Sequence, residues 1–131
     1  MADLFWADLF WPGGIPDDPL LEGLNWRILG TGQSFATESG DLMTGPGGLG
    51  TIVTMTPTYP MSNHQFNGLF LPWWLAPRKQ GGCDNGMHAF WLRDPMDRKP
   101  WQWIRQPDAD MRTERDGLGW LVMLPLRSLP R

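Results

Sequence analysis

The sequence predicts a mainly β domain, mostly antiparallel, with one short helix, preceded by an extended N-terminal arm. Glycine and proline account for 16 and 13 of the 131 residues, and this abundance disfavours long helices. Several short segments between them carry the alternation or the β-branched residues typical of strands. The length suits one compact domain. We place that domain at residues 23–131 and the arm at residues 1–22.

The arm opens with a direct repeat, because residues 2–6 and residues 7–11 both have the sequence Ala-Asp-Leu-Phe-Trp. A period of five matches neither a strand nor a helix, so the repeat has no single apolar face. Its apolar side chains need a cover, which either the core of the same chain or a neighbouring subunit could supply. We expect the arm to become ordered in an assembly. The candidate contact residues are Leu4, Phe5, Trp6, Leu9, Phe10 and Trp11.

The first half of the domain is predicted to contain two strands. Residues 24–31 alternate loosely between apolar and polar side chains, which is typical of a strand. A glycine-rich loop follows at residues 40–50. The β-branched residues in 51–56 then predict a second strand, ended by Pro57 and Pro60.

The second half begins with the predicted helix. Apolar side chains have helical spacing in residues 63–80, and Pro72 interrupts them, so we expect two short helical pieces or a kink. Three further strands are predicted at residues 87–93, 101–105 and 119–126. Because Pro125 lacks an N–H donor, we expect the end of the last strand to lie at a sheet edge.

The charge pattern limits the classes of partner. A formal net charge of -3 excludes a polybasic protein, so no nucleic-acid contact is expected. Residues 1–65 carry a net charge of -6 and residues 66–131 carry +3. One domain with a mixed surface accommodates this division, and so does head-to-tail association of subunits. An export signal and a long apolar run are not found, so we expect no membrane contact.

No recognised catalytic or metal-binding motif is present. A lone cysteine, Cys83, cannot form an intramolecular disulfide, and with His64 and His88 it offers too few ligands for a structural zinc site. Cys83 and His88 could form a nucleophile pair, but the neighbouring Asp84 would raise the thiol pKa. We therefore predict no enzymatic activity, no catalytic residues, no metal and no cofactor.

Asp94 and Asp97 lie in the segment Asp94-Pro95-Met96-Asp97, after a predicted strand. Paired carboxylates are found in glycosidases, but carboxylates at this position more often accept hydrogen bonds from backbone N–H groups in a turn. We predict a structural turn formed by Asp94, Pro95 and Asp97. The nine tryptophans could provide a platform for sugar rings, although strand positions favour their burial.

Two neighbouring segments carry a resemblance to a known family. Residues 69–75 have the sequence Leu-Phe-Leu-Pro-Trp-Trp-Leu, and after a basic pair and glycines, residues 89–97 have Ala-Phe-Trp-Leu-Arg-Asp-Pro-Met-Asp. This order resembles the distal tail and minor tail proteins of long-tailed bacteriophages. Residues 120–126 also resemble the closing strand of those proteins.

The resemblance implies a β-sandwich-like core and a homo-oligomeric ring, a hexamer, at the phage tail tip (baseplate). Its partners would be the tail tube protein and the baseplate hub protein in the virion, after synthesis in the host cytoplasm. One domain leaves no room for an appended carbohydrate-binding domain, so a structural joint is expected rather than host recognition. The alternatives are a tail terminator, a head–tail joining protein, or a Trp-rich carbohydrate-binding module.

Overall fold

The computed structural model describes residues 9–29 and 51–130. In this part of the chain eight strands form two sheets, and the neighbouring strands in both sheets are antiparallel. The strands are β1 (Arg27–Ile28), β2 (Val53–Met55), β3 (Thr58–Ser62), β4 (Phe90–Arg93), β5 (Pro100–Arg105), β6 (Arg112–Asp116), β7 (Gly119–Met123) and β8 (Leu126–Ser128). Their order is β1-β2-β8-β5-β4 in the larger sheet and β3-β7-β6 in the smaller one. The predicted class, mainly antiparallel β with one short helix, is confirmed.

Of the four crossings between the two sheets in the described residues, two are tight corners that lie next to each other. Strand β2 leads into β3 through Pro57, and β7 leads into β8 through Leu124 and Pro125. The Leu124 N–H donates to the Pro57 carbonyl oxygen at 3.0 Å, which joins the corners. The prediction that Pro125 marks a sheet edge is wrong, because β8 lies between β2 and β5. At a corner, a proline interrupts no ladder and can turn the chain from one sheet into the other.

Three of the eight strands in the described residues were not predicted from the sequence. The segment predicted as one strand, residues 119–126, forms β7 and the start of β8, which lie in different sheets. Strand β3 contains Pro60, which we expected to end a strand, but β3 is an edge strand, where a missing N–H can face away from the ladder. Strand β6 has only exposed residues, so it lacks the alternation that marks a half-buried strand. Strand β4 begins at Phe90 rather than at the predicted residue 87, since residues 84–87 form a turn.

The helical segment between β3 and β4 is divided, as the sequence predicted. A π-helical piece (Gln65–Phe70) continues into α1 (Leu71–Leu75), with Pro72 in the first turn of α1, and a 3₁₀ turn (Arg78–Gln80) follows. A capping box starts the segment: the Ser62 N–H donates to Gln65 Oε1 at 2.8 Å, and the Gln65 N–H donates to Ser62 Oγ at 3.1 Å. Gly81 ends it in the left-handed region at φ 85°.

The core lies between the two sheets and this helical segment. It is rich in aromatic rings, and Trp74, Phe70, Tyr59, Phe90 and Trp103 are all fully buried. The Trp74 ring packs edge-to-face on Phe90, with centroids 6.1 Å apart and an interplanar angle of 73°, and it stacks on Phe70 at 5.5 Å. The scarcity of aliphatic β-branched residues is therefore compensated by large flat side chains that pack on one another.

Candidate binding site at the β4 edge

The free edge of β4 is covered by the start of the described chain. The Trp91 N–H donates to the Leu9 carbonyl oxygen, and the Trp11 N–H donates to the Trp91 carbonyl oxygen, both at 2.9 Å. Phe10 and Trp91 therefore pair as a short parallel bridge, and residues 9–11 extend the larger sheet by one strand. We call this position of residues 9–11 on β4 the β4-edge seat.

Alternation along the seat places two side chains inside and one outside. Leu9 is buried, and Trp11 packs on Tyr59, Phe70 and Phe90, with ring centroids 4.8, 5.7 and 6.4 Å away. Phe10 points outward and is 60% exposed, with its ring 6.5 Å from that of Trp91. The second copy of the repeat is thus covered by the core of its own chain through Leu9 and Trp11.

A tight turn after the seat fixes its position. The Ile15 N–H donates to the Pro12 carbonyl oxygen at 3.2 Å, and the buried Ile15 side chain joins the core. The Trp11 indole N–H lies 3.2 Å from the carbonyl oxygen of Ile15. A Cβ at Gly14 would lie 2.8 Å from Leu69 Cδ1, the end of a flexible side chain, so a larger residue here would displace Leu69. Gln65 Nε2 donates to the Gly14 carbonyl oxygen at 3.0 Å and ties the turn to the helical segment.

Two acidic residues of the arm pair with a cation on β4. Arg93 Nη2 lies 2.9 Å from Asp17 Oδ1 and 2.7 Å from Asp18 Oδ1. The guanidinium is about 29% exposed, so this ion pair is partly screened by solvent. Part of the charge asymmetry of the sequence is therefore neutralised within one chain. Local sequence patterns carry no signal for this contact, since more than 70 residues separate the partners.

A groove of about 650 Å³ runs between the arm and β4. This volume lies within the range of ligand sites in proteins. The wall formed by the arm contains Phe10, Trp11, the turn from Pro12 to Pro16, and Asp17; the opposite wall contains Trp91, Leu92, Arg93 and Pro100, and Gln65 also contributes. Aromatic faces and a charged pair thus lie side by side, an arrangement suited to ligands with both apolar faces and hydroxyl or amide groups.

The predicted turn residues lie at the end of β4. Asp94 is fully buried, and its carboxylate accepts hydrogen bonds from the Met96 N–H at 2.8 Å and the Trp26 indole at 3.1 Å. Asp97 is exposed and accepts a hydrogen bond from the Lys99 N–H at 2.9 Å. The two carboxylates therefore stabilise backbone and indole donors. Asp94 also attaches the chain around Trp26 to the β4 turn, a long-range role that sequence reasoning missed.

One polar atom near the seat is orphaned. The Tyr59 hydroxyl is buried, and no group of residues 9–29 or 51–130 forms a hydrogen bond with it. Burial raises the pKa of this phenol far above its usual range, and the negative charges of Asp17, Asp94 and Asp18 add to the effect, while Arg93 opposes it. Tyr59 is therefore a neutral group whose ring packs against Trp11.

Cys83 and His88 were considered as a nucleophile pair, and both were considered with His64 as ligands of a zinc ion. Cys83 is fully buried, and burial raises its pKa to about 12, with Asp84 contributing in the same direction and backbone hydrogen bonds opposing. The thiol therefore stays protonated at neutral pH. His64 is exposed and His88 is partly buried. Among the described residues, no three His, Cys, Asp or Glu side chains come close enough to hold a metal ion.

The predicted contact residues fall into two groups. The β4-edge seat is occupied by Leu9, Phe10 and Trp11. The other group, Leu4, Phe5 and Trp6, lies outside the described residues, and its contact with a partner stays a prediction. Within residues 9–29 and 51–130, no helix has the length and apolar character needed to span a membrane. No protein-family model, no curated protein and no solved structure matches this chain. Its function must therefore be inferred from its own residues and geometry.

Proposed function

We propose that this protein is a structural subunit, without enzymatic activity, of a bacteriophage tail-tip ring that joins the tail tube to the baseplate hub. The ring would be a hexamer of this chain within the virion. The two-sheet antiparallel fold with one short helix is compatible with the β-sandwich-like core that the resemblance of residues 69–97 implies. The single observation that supports self-association is the open edge of the smaller sheet.

That edge is strand β6. All five of its residues are exposed, and among the described strands only β7 pairs with it. The hairpin ends in Leu118, which is 89% exposed. An unpaired strand is a template for pairing with another chain, and an apolar tip beside it adds a contact that excludes water. The strand is highly charged, with Arg112, Glu114, Arg115 and Asp116, which favours a partner of complementary charge.

The backbone geometry of the hairpin shows which groups a neighbour would bind. Asp116 pairs with Gly119 across a two-residue loop, so these two exchange hydrogen bonds and the pattern alternates along β6. The N–H and carbonyl groups of Thr113 therefore point away from β7. A proline at position 113 would remove an outward donor and leave the β6–β7 ladder intact.

Sedimentation velocity of the purified chain tests the proposal. We expect a hexamer, and we expect Thr113→Pro and Leu118→Asp each to shift it towards smaller species. The matched controls are Thr113→Ser and Met87→Asp, since Met87 is 61% exposed outside the hairpin. A chain that stays monomeric at all concentrations, or variants that associate as the wild type does, would contradict it. Electron microscopy of labelled virions separates a tail-tip ring from a tail terminator or a head–tail joining protein.

A second candidate function is binding of a saccharide in the groove at the β4 edge. The observation that favours it is the exposed Phe10 ring beside Trp91, with Asp17, Arg93 and Gln65 nearby as hydrogen-bonding groups. Screening against immobilised glycans tests this candidate. Binding that disappears in Phe10→Ala but persists in Met87→Ala would support it, and the absence of any glycan ligand would remove it.

A further inference from the structure

The direct repeat gives this chain two copies of one segment, and only residues 9–11 of the second copy lie among the described residues. Three features of this segment fit the β4-edge seat: a buried leucine, an outward phenylalanine and an inward tryptophan. The two hydrogen bonds to Trp91 come from backbone groups, so they do not depend on the side chains. The β4-edge seat therefore recognises the order Leu-Phe-Trp on an extended backbone.

The first copy has the same residues in the same order, Leu4, Phe5 and Trp6. The two copies differ only in the residues that flank them. Pro12 and the turn to Ile15 come after the second copy and hold it in its own chain, whereas Ala7 and Asp8 come after the first. On its own, the seat cannot discriminate between the two triplets.

Chain length determines how far each copy can reach towards another molecule. Ile15 is buried in its own domain, and Leu9 is six residues away from it, a span of about 20 Å at most. Leu4 is eleven residues from Ile15, a span of up to about 40 Å, which exceeds the diameter of about 30 Å expected for a domain of this size. With Ile15 in place, the first copy therefore reaches a seat on a neighbouring molecule over about twice the distance that the second copy does.

We propose that the β4-edge seat is an exchangeable socket, and that residues 2–6 of one chain bind the seat of a second copy of this chain in place of residues 9–11. Each seat holds one Leu-Phe-Trp triplet before and after the exchange, so the triplet and the seat form the same interactions in both arrangements. The exchange breaks only the interactions specific to the second copy, and the high local concentration of neighbouring arms in an assembly offsets their cost. Repeated head to tail, the exchange links each subunit to the next.

This inference deepens the self-association in the proposed function, and a disulfide-trapping experiment tests it directly. Phe10 and Trp91 are bridge partners, so adjacent backbones at that point are about 5 Å apart, within reach of a disulfide. Two full-length proteins are made in a Cys83→Ala background, one with Phe5→Cys and one with Trp91→Cys. If Phe5 takes the place of Phe10, mixing and mild oxidation give a disulfide between the two chains.

The matched control replaces the Phe5→Cys protein with one that carries both Phe5→Cys and Trp6→Ala. This variant keeps the thiol and removes the side chain that would fill the β4-edge seat. We expect the yield of mixed disulfide to fall at least about tenfold in this control. No mixed product, or equal yields with and without Trp6, would overturn the proposal.

A second measurement avoids any substitution in β4. A fluorescent peptide of residues 1–8 is titrated into a chain that lacks residues 2–6 and carries Trp11→Ala, which weakens its own occupant. We expect saturable binding, lost in a Trp6→Ala peptide and retained within about threefold in a Phe5→Ala peptide, because the counterpart Phe10 is largely exposed. Equal binding of all three peptides, or no binding, would contradict the proposal that residues 2–6 bind the β4-edge seat. Sedimentation of Thr113→Pro reports on the ring separately, so either proposal can fail alone.

Discussion

Phe10 and Trp11 are neighbours on one extended backbone, yet their environments differ completely. Phe10 is 60% exposed, whereas Trp11 contacts the rings of Tyr59, Phe70, Trp73 and Phe90. The difference follows from the two-residue alternation of a strand. Two large aromatic residues of similar hydrophobicity should therefore contribute very different amounts to the free energy of unfolding.

Trp11 is partly buried against the core, so we expect Trp11→Ala to lower the free energy of unfolding by about 2 kcal/mol, less than the loss of a fully buried aromatic side chain. The change is made in a chain that lacks residues 2–6, so that Trp6 is not present to replace Trp11. Phe10→Ala in the same chain should cost less than about 1 kcal/mol. Urea unfolding, monitored by tryptophan fluorescence, measures the change in the free energy of unfolding for both variants. Equal losses would mean that the seat does not bury Trp11 in solution.

Asp94 provides a second prediction for a single residue. Asp94→Ala leaves the Met96 N–H and the Trp26 indole without their acceptor in a buried place, so we expect a loss of about 2 kcal/mol. Asp97→Ala, at an exposed position, should cost less than about 1 kcal/mol. Thermal unfolding compares the two. Equal losses in the two variants would show that the buried hydrogen bonds of Asp94 contribute no more to stability than those of the exposed Asp97.

Among the elements, the arm is the one whose role depends most on the tertiary structure. Residues 9–16 pack on β4 and on the helical segment, so the second copy of the repeat is part of the domain. Deleting residues 2–6 gives the same sequence as deleting residues 7–11, and either deletion leaves one complete triplet next to Pro12. The repeat therefore allows one copy to be removed without emptying the seat.

We expect the protein without residues 2–6 to unfold at the wild-type temperature, within about 2 °C, because one triplet still fills the seat. The protein without residues 2–11 should unfold well below it, since Tyr59, Phe70 and Phe90 lose the cover that Trp11 provides. Differential scanning calorimetry measures both. If the two shortened proteins are equally stable, the packing of residues 9–11 on β4 contributes nothing to the stability of the domain.

Most elements of the larger sheet could be predicted, because their signals are local. The β-branched residues of β2, the tryptophan alternation in β5 and the helical spacing interrupted by Pro72 all lie within one short segment. The capping box of Ser62 and Gln65 has an equally local pattern, Ser-x-x-Gln, and a search for that pattern would have found the helix start. Strands β3 and β6 were missed because each is an edge strand, where a proline or an all-polar composition is tolerated.

At the scale of the whole molecule, two buried titratable groups couple stability to alkaline pH. Burial raises the pKa of Cys83 to about 12 and raises the pKa of Tyr59 as well. The unfolded chain releases these protons at lower pH than the folded chain does. Their contribution to stability is therefore complete below the pKa values of the unfolded chain, and it decreases as the pH rises towards those of the folded protein.

For Cys83 the window extends from pH 9 to pH 12. We expect the free energy of unfolding to decrease by up to about 1.4 kcal/mol per pH unit in that window from this group alone. Urea unfolding at pH 8, 9 and 10 measures the slope in the wild type and in Cys83→Ala, which should decrease less steeply above pH 9. Parallel slopes for the two proteins would show that the thiol ionises alike in both states.

By itself, the sequence determined the class of the fold: the abundance of glycine and proline and the short alternating segments led to an antiparallel β domain with one broken helix. It also pointed to an arm whose repeat has no single apolar face. Only the tertiary structure decided that the second copy lies on β4, that Pro125 occupies a corner between sheets, and that Arg93 meets Asp17 and Asp18. The physical reason is the sequence distance over which each kind of interaction acts. Periodicity, caps and turns act within a few residues, whereas these contacts join residues far apart in the chain, whose pairing depends on how the sheets and the core pack.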